Sequence, residues 1–248
     1  MSGHNKWSTI KHRKGAQDAK KGKIFTKVIK EITVAARMGG GDPGANPRLR
    51  HALDLARLNN MPAENVSRAI KKGTGELEGV TYEELVYEGV GPAGTLIVAE
   101  IMTDNRNRTA AELRKVFDKN GGALGASGSA MWAFEAKGMV TLPLAAATEE
   151  QLFDVAVGAG AEDVQSDDER WVIMTPVEAL EGVRVALVGA KLPVTTAELT
   201  KVAKTPKVIG GADAESGMGL VEALEDHDDV QKVYTDFELS DEALANLS

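Results

Sequence analysis

The chain has 248 residues, 43% of them hydrophobic and 27% charged, with a net charge of −8 at pH 7. Such a make-up belongs to globular proteins, and the length suits one large domain or two to three small ones. Cysteine is absent, which excludes disulfides, cysteine-based zinc sites and a thiol nucleophile, and fits a reducing, cytoplasmic setting. No apolar run approaches the ~20 residues of a membrane span. No apolar signal segment follows the first residues, and residues 1–17 lack the Ser/Arg-rich amphipathic pattern of a transit peptide.

The charge is unevenly placed. Residues 1–72 hold 16 Lys and Arg against 5 Asp and Glu, a net of +11, while residues 73–248 hold 13 against 32, a net of −19. Lys6, Lys11, Arg13, Lys14, Lys20, Lys21, Lys23, Lys27 and Lys30 crowd the opening, opposed there only by Asp18. Residues 1–15 read as an arm or exposed basic helix with Trp7 and Ile10 as anchors. From Ile24, apolar residues at Phe25, Val28, Ile29, Ile32, Ala35 and Ala36 trace a helical stripe, with Lys23, Lys27 and Lys30 off it. That helix stops at Met38 before Gly39-Gly40-Gly41-Asp42-Pro43. Asn46-Pro47 is an N-cap followed by proline in the first turn, with Leu49, Leu53, Ala56 and Leu58 as the inner face. A third helix follows Pro62, with Val66, Ala69 and Ile70 inside and Gly73 as its C′ residue.

After Gly79 the pattern turns to strands. Tyr82–Gly89 and Thr95–Met102 form a hairpin around Gly91-Pro92-Ala93-Gly94. Asp104–Thr109 reads as a polar loop, with Thr109 capping a helix through Leu113, Val116 and Phe117. Gly121–Ser129 reads as a flexible connector; it lacks the Gly-Lys-Ser/Thr ending of a P-loop and follows a helix where a P-loop follows a strand. Strands at 131–135 and 139–142, a helix capped by Thr148, strands at 163–166 and 171–174, a helix opened by Pro176 and a strand at 197–202 make the β-α-β-β-α-β order of a ferredoxin-like unit. A helix over 214–225 and a strand over 230–237 remain, and their simplest home is beside the 82–120 hairpin and helix. Gly210-Gly211 and Gly217-Met218-Gly219 read as hinge and helix-start material. The expected class is α+β and multidomain: a basic helical domain (1–77), a discontinuous α/β domain (78–130 plus 207–240) and an inserted ferredoxin-like domain (131–206).

Lysine and arginine at this density neutralise phosphates and release counterions, so the basic end points to nucleic acid; the alternative use of such residues is a solvated helical face. The expected contacts are Lys6, Lys11, Arg13, Lys14, Lys20, Lys21, Lys23 and Lys27, with Arg106 and Arg108 of Asn105-Arg106-Asn107-Arg108 as a second contact beside a helix N-terminus. Asp226-His227-Asp228-Asp229 could serve a metal-dependent hydrolase, but four successive positions point in different directions and suit a turn. No metalloprotease, nucleophile-elbow or calcium-loop motif occurs. Neither a metal nor another cofactor is expected, nor a small-molecule substrate or a membrane partner. A pure protein-interaction module, with the acidic part on a basic partner, is the other reading.

Gly3-His4-Asn5-Lys6-Trp7-Ser8 through Lys14, Lys23-Ile24-Phe25-Thr26-Lys27, Asn46-Pro47-Arg48-Leu49-Arg50, Asn60-Met61-Pro62, Ala69–Gly75, Tyr87-Glu88-Gly89, Thr103–Thr109 and Asn120-Gly121-Gly122 closely resemble the YebC family. The likeness continues more loosely into Ala223-Leu224-Glu225-Asp226 and Val233-Tyr234-Thr235-Asp236. Asn5 stands where serine is usual, and Ala126–Trp132 departs from the pattern. The resemblance implies three domains, one inserted in another, in a bacterial cytoplasmic regulator with no catalytic residues. It implies DNA-binding transcriptional regulation or, as in a mitochondrial translational activator of cytochrome oxidase and in ribosome-associated members that ease proline-rich stalls, action on ribosomal RNA.

Overall fold

The computed structural model describes residues 17–166 and 170–245, with side chains in the first helix from residue 22 onward. These form two units, one of residues 17–132 and 209–235, the other of 133–208 and 236–245 without 167–169. The first opens with helices α1 (Gln17–Gly39), α2 (Pro47–Leu58) and α3 (Ala63–Thr74). α1 begins upstream of the expected Ile24, because a helix-favouring but apolar-poor stretch such as Ala19-Lys20-Lys21 carries no periodic signal. Val28, Ile32, Ala35 and Ala36 of α1 bury against Leu49, Ala52 and Ala56 of α2 and Ala69 of α3. Asn46 caps α2 by accepting the Leu49 N–H at 3.0 Å, and its own amide donates to the Ala35 and Gly40 carbonyls at 2.8 and 2.9 Å. One buried side chain therefore satisfies the start of one helix and the end of another. Gly73 does not end α3 as expected. It lies inside the helix, where an added Cβ would sit 2.4 Å from the Thr33 carbonyl oxygen, so it marks close contact with α1. The left-handed cap is Gly75, with φ 83°.

The same unit continues with β1 (Glu83–Val90), β2 (Leu96–Thr103), α4 (Arg106–Lys119), β3 (Ala123–Leu124), α7 (Gly211–Glu225) and β9 (Val230–Thr235). The sheet order is β3-β1-β2-β9, antiparallel throughout. The last strand thus returns from far along the chain to pair with β2. Leu113 and Phe117 of α4 and Leu220 and Leu224 of α7 pack on Ile97, Ala99 and Ile101 of β2. Gly217-Met218-Gly219 lies within α7 and does not start it. Burial of Ala214, Gly217, Leu220, Val221 and Leu224 overrides the weak helix propensity of glycine. α4 is capped by Asn105, which accepts the Arg108 N–H, not by Thr109, which is buried in the first turn.

In the second unit, β4 (Phe134–Pro143), α5 (Glu149–Gly158), β5 (Asp163–Ser166), β6 (Arg170–Thr175), α6 (Leu180–Gly189) and β7 (Thr196–Ala203) give the ferredoxin-like order β5-β6-β4-β7. Leu152, Ala156, Val183 and Leu187 of the two helices cover Val140, Leu142, Trp171 and Ile173 on one sheet face. Where two strands were expected over 131–142, a short 3-10 turn (Met131–Ala133) leads into one long strand. Gly138 does not break that strand. A Cβ there would meet Thr175 Oγ1 at 2.3 Å and Leu180 Cβ at 2.8 Å, so the glycine admits α6 and β6. β8 (Lys207–Ile209) and β10 (Phe237–Leu239) make a separate two-stranded sheet, so the strand expected over 230–237 is divided at Asp236, and a short α8 (Asp241–Ala245) follows.

The glycine-rich segment after α4 is no loose connector. β3 pairs with β1, and the buried Glu88 carboxylate accepts the backbone N–H groups of Gly128, Ala130 and Met131, each at 2.7 Å. Burial would raise the Glu88 carboxyl; the three N–H donors outweigh it and hold the group below its ordinary range. A Glu88→Gln variant turns an NH2 toward the Gly128 N–H and loses that acceptor. It should cost about 1–3 kcal/mol by urea denaturation, with faster amide exchange at Gly128 than at core sites of the same unit.

Candidate nucleic-acid interface

Lys23, Lys27 and Lys30 repeat at i, i+4 and i+7, so they share one face of α1. In the structure that face meets the turn between α7 and β9. Lys23 Nζ lies 3.1 Å from Asp226 Oδ2, and Lys27 Nζ donates to the Glu225 carbonyl. Lys30 goes deeper. Its ammonium donates to Asp229 Oδ1 at 2.6 Å, to the Asp228 carbonyl at 2.9 Å and to the Met102 carbonyl at 3.3 Å, so all three protons are used. The Tyr82 ring lies under it at 5.5 Å. Burial first, then the Asp104 and Asp229 charges, push the Tyr82 phenol up.

Asp229 is the hub of this contact. Its Oδ2 accepts from Thr109 Oγ1 at 2.7 Å, Arg108 Nη2 at 2.8 Å and Thr103 Oγ1 at 3.2 Å. Burial acts to raise its carboxyl, but the bonds from Lys30, Thr109 and Arg108 and the Lys30 charge win and hold it well below the usual carboxylate range. Arg108 also pairs with Asp104 at 2.9 Å, and its bond to Asp229 leads the causes that hold its proton more tightly. Arg48 ties α2 to Glu31 of α1 and Glu84 of β1 in the same way, at 2.7 and 2.6 Å.

The expected contacts fall into groups. Lys6, Lys11, Arg13 and Lys14 lie outside the described residues, and Lys20 and Lys21 lie on α1 with side chains outside them. Lys23 and Lys27 face the Glu225–Asp229 turn, and Arg108 faces Asp229. Arg106 is exposed in the first turn of α4, not in a loop. Sequence reasoning placed Lys30 only in the charge run and missed Glu88 and Arg48. The available signal for Lys30 was its i+7 spacing from Lys23; for Glu88 it was an acid inside a strand-like run, at Tyr87-Glu88-Gly89.

Glu112, His227 and Asp229 bring three ligand-type atoms within 4.8 Å of one another. Their chemistry does not fit a cation. Lys30 and Arg108 already occupy Asp229. His227 Nδ1 accepts the Asp229 N–H at 3.1 Å, which leaves the ring proton on Nε2, 3.0 Å from Glu112. The Asp226–Asp229 stretch is therefore a turn whose members each serve a different internal contact, as the sequence argument favoured.

With this architecture established, the comparisons are specific. Residues 5–76 match the TACO1/YebC protein N-terminal domain, and residues 82–237 match the TACO1/YebC second and third domain. The chain belongs to the TACO1/YebC family. A protein of Geobacter sulfurreducens is 52% identical over 247 residues, covering 100% of both chains. One of Desulfosudis oleivorans is 53% identical over 241 residues, covering 97% of this chain and 98% of its own. Both carry the name "probable transcriptional regulatory protein". The crystal structure of a conserved hypothetical protein from Aquifex aeolicus superposes with a TM-score of 0.84 at 45% identity, over 90% of this chain and 93% of that one.

Removing one partner from a buried, saturated ion pair leaves a charge without compensation. Asp229→Ala should cost about 3–5 kcal/mol, and the double variant Lys30→Met/Asp229→Leu should cost less than Asp229→Ala alone in urea denaturation. A depressed folded pKa contributes stability that is present above the unfolded value, about 3.9 for aspartate, and is lost as pH falls through the folded one. The wild type should therefore lose stability below about pH 4 more steeply than Asp229→Asn, measured as melting temperature against pH.

Proposed function

We propose that this protein is a non-enzymatic, nucleic-acid-binding regulator of gene expression in the cytoplasm. The observation that carries the reading is the net +11 of residues 1–72 in a chain whose remainder is −19. A polyanion attracts the first part and repels the rest, so binding is polarised. The relatives' shared name supports a regulatory role. The division of labour we propose has residues 1–77 as the nucleic-acid domain, 78–130 with 207–240 as the domain that anchors it, and 131–206 as the insertion. Lys6, Lys11, Arg13, Lys14, Lys20 and Lys21 are the leading phosphate contacts. Lys23, Lys27 and Arg108 contribute less, because internal acceptors already hold them.

The target is DNA, ribosomal RNA or both. An acidic majority disfavours wrapping long duplex and favours a basic arm entering an RNA-lined site. On that reading the protein acts on the ribosome, relieving stalled, proline-rich translation, as family resemblance suggests. The hydrolase reading finds no support in the Asp226–Asp229 turn, whose buried carboxylate is saturated by two cations and two hydroxyls.

Deleting residues 1–30 would remove Lys23, Lys27 and Lys30 from their internal contacts, so the cleaner test neutralises the arm. In a Lys6→Gln/Lys11→Gln/Arg13→Gln/Lys14→Gln variant, the slope of log affinity against log salt on duplex DNA should shrink by about 3.6, at about 0.9 per phosphate. An unchanged slope and affinity would sink the arm as the contact. In gradient fractionation of lysate, co-migration with ribosomes lost in the variant supports translation. A ribosome-free pool enriched on defined promoters supports transcription.

A further inference from the structure

One flank of α5 (Glu149–Gly158) exposes side chains that suit contact better than solvent. Leu152 and Ala156 face the core of the second unit. Phe153 and Val157, at i and i+4, form a row beside them, and Glu150 and Asp154 form the next row outward. Phe153 is 55% exposed and Val157 39%. Thr148, Glu149, Glu150, Phe153 and Asp154 line a shallow concavity of about 440 Å³. A capping box fixes the first turn there: Thr148 Oγ1 accepts the Gln151 N–H, and Gln151 Oε1 accepts the Thr148 N–H.

The stability of the unit does not account for this set. Glu149 and Glu150 stand at the positive end of the macrodipole, where acids are favoured, so they alone indicate nothing. Asp154 lies beyond the first turn, and aspartate, phenylalanine and valine are all weaker helix formers than alanine or glutamine. Phe153 gives up much of the apolar burial that an aromatic side chain supplies. The acids are also unmatched. Residues 131–206 hold 12 Asp and Glu against 6 Lys and Arg, net −6. Within that unit Lys137 is held by Glu135 and Glu162, and Arg184 by Glu181. Glu149, Glu150 and Asp154 make no ion pair with a described residue.

We propose that this flank of α5 is a docking surface for a basic segment of a partner protein, one that carries an aliphatic side chain between its cations. The aliphatic side chain covers Phe153 and Val157, and the Lys or Arg side chains meet Glu149, Glu150 and Asp154, with a guanidinium also able to lie on the Phe153 ring. Charge complementarity selects the occupant. Three unmatched carboxylates around an apolar centre repel nucleic-acid phosphates and anionic lipid and attract a cationic chain. An aromatic centre within a charged rim is also the ordinary anatomy of a protein contact. From Glu149 to Val157 the helix axis advances about 12 Å at 1.5 Å per residue, the reach of about four residues of extended chain at ~3.3 Å each.

This surface is independent of the nucleic-acid reading and of the basic arm. The test uses the full-length protein and a fluorescein-labelled peptide of repeated Arg-Leu-Lys. Binding is followed by fluorescence anisotropy at about 0.15 M salt, where the Debye length is ~8 Å and long-range attraction is screened. Phe153→Gln and Glu150→Gln/Asp154→Asn change only exposed positions, and circular dichroism and thermal melting verify that both variants fold. Each should weaken peptide affinity about tenfold. Glu215→Gln/Glu222→Gln removes the same charge from exposed positions of α7 and should leave affinity within about twofold. Equal losses in the α7 and α5 acid variants, or full affinity in Phe153→Gln, would overturn the surface, since binding would then follow net charge alone. A wild type that does not bind the peptide would overturn it too, as would self-association that only the α5 variants lose, which gives the face to a second copy. None of these outcomes alters the arm's salt slope on duplex DNA, so the nucleic-acid reading is judged separately.

Discussion

The contact between Lys30 and Asp229 is the constraint on which the larger unit depends. Two buried charges are costly unless every donor and acceptor on them is matched. Here the ammonium spends three protons on a carboxylate and two carbonyls, and the carboxylate draws on Lys30, Arg108, Thr109 and Thr103. Those partners come from α1, the end of β2, the start of α4 and the turn before β9. One hub therefore fixes the first helix, the central hairpin and the returning strand together.

The same logic recurs at Glu88 and Arg48. Glu88 gathers three backbone N–H groups from the segment after β3, and Arg48 bridges an acid on α1 and one on β1. In each case a charged side chain supplies order that apolar packing does not. Gly121–Ser129 has no apolar periodicity with which to bury itself, and an anion at its centre takes the place of a core. Hydrophobic clusters build each helical or sheet layer; the saturated charges decide how neighbouring layers within the unit are joined.

Much of the fold was legible because it is periodic. The stripe from Ile24 to Ala36, the Asn46-Pro47 start and the alternation of β-α-β-β-α-β are local patterns, and the elements they indicate are present. What misled were glycines and hydroxyls whose reasons are tertiary. Gly73 and Gly138 resemble breaks, yet each exists because another element passes too close for a Cβ. Thr109 resembles a cap, yet its hydroxyl serves Asp229. The charge run was legible as a run but not by destination. Lys27 and Lys30 look the same in sequence whether they face phosphates or carbonyls 198 positions away.

That distinction bears on how a charge-segregated protein should be read. Net charge counts all cations alike, whereas only those without internal partners can neutralise a polyanion without first breaking something. Freeing Lys30 would strand Asp229 in a buried site, so Lys30 belongs to the architecture however basic its neighbourhood. Arg114, Lys115 and Lys119 lose nothing on meeting a phosphate, because no described group holds them. The effective basic surface is therefore smaller than the sequence count on α1, where the α7–β9 turn holds three lysines, and on α4, where Asp229 holds Arg108. The acidic Glu225–Asp229 turn, by engaging the α1 lysines and Arg108, is what subtracts them from that surface.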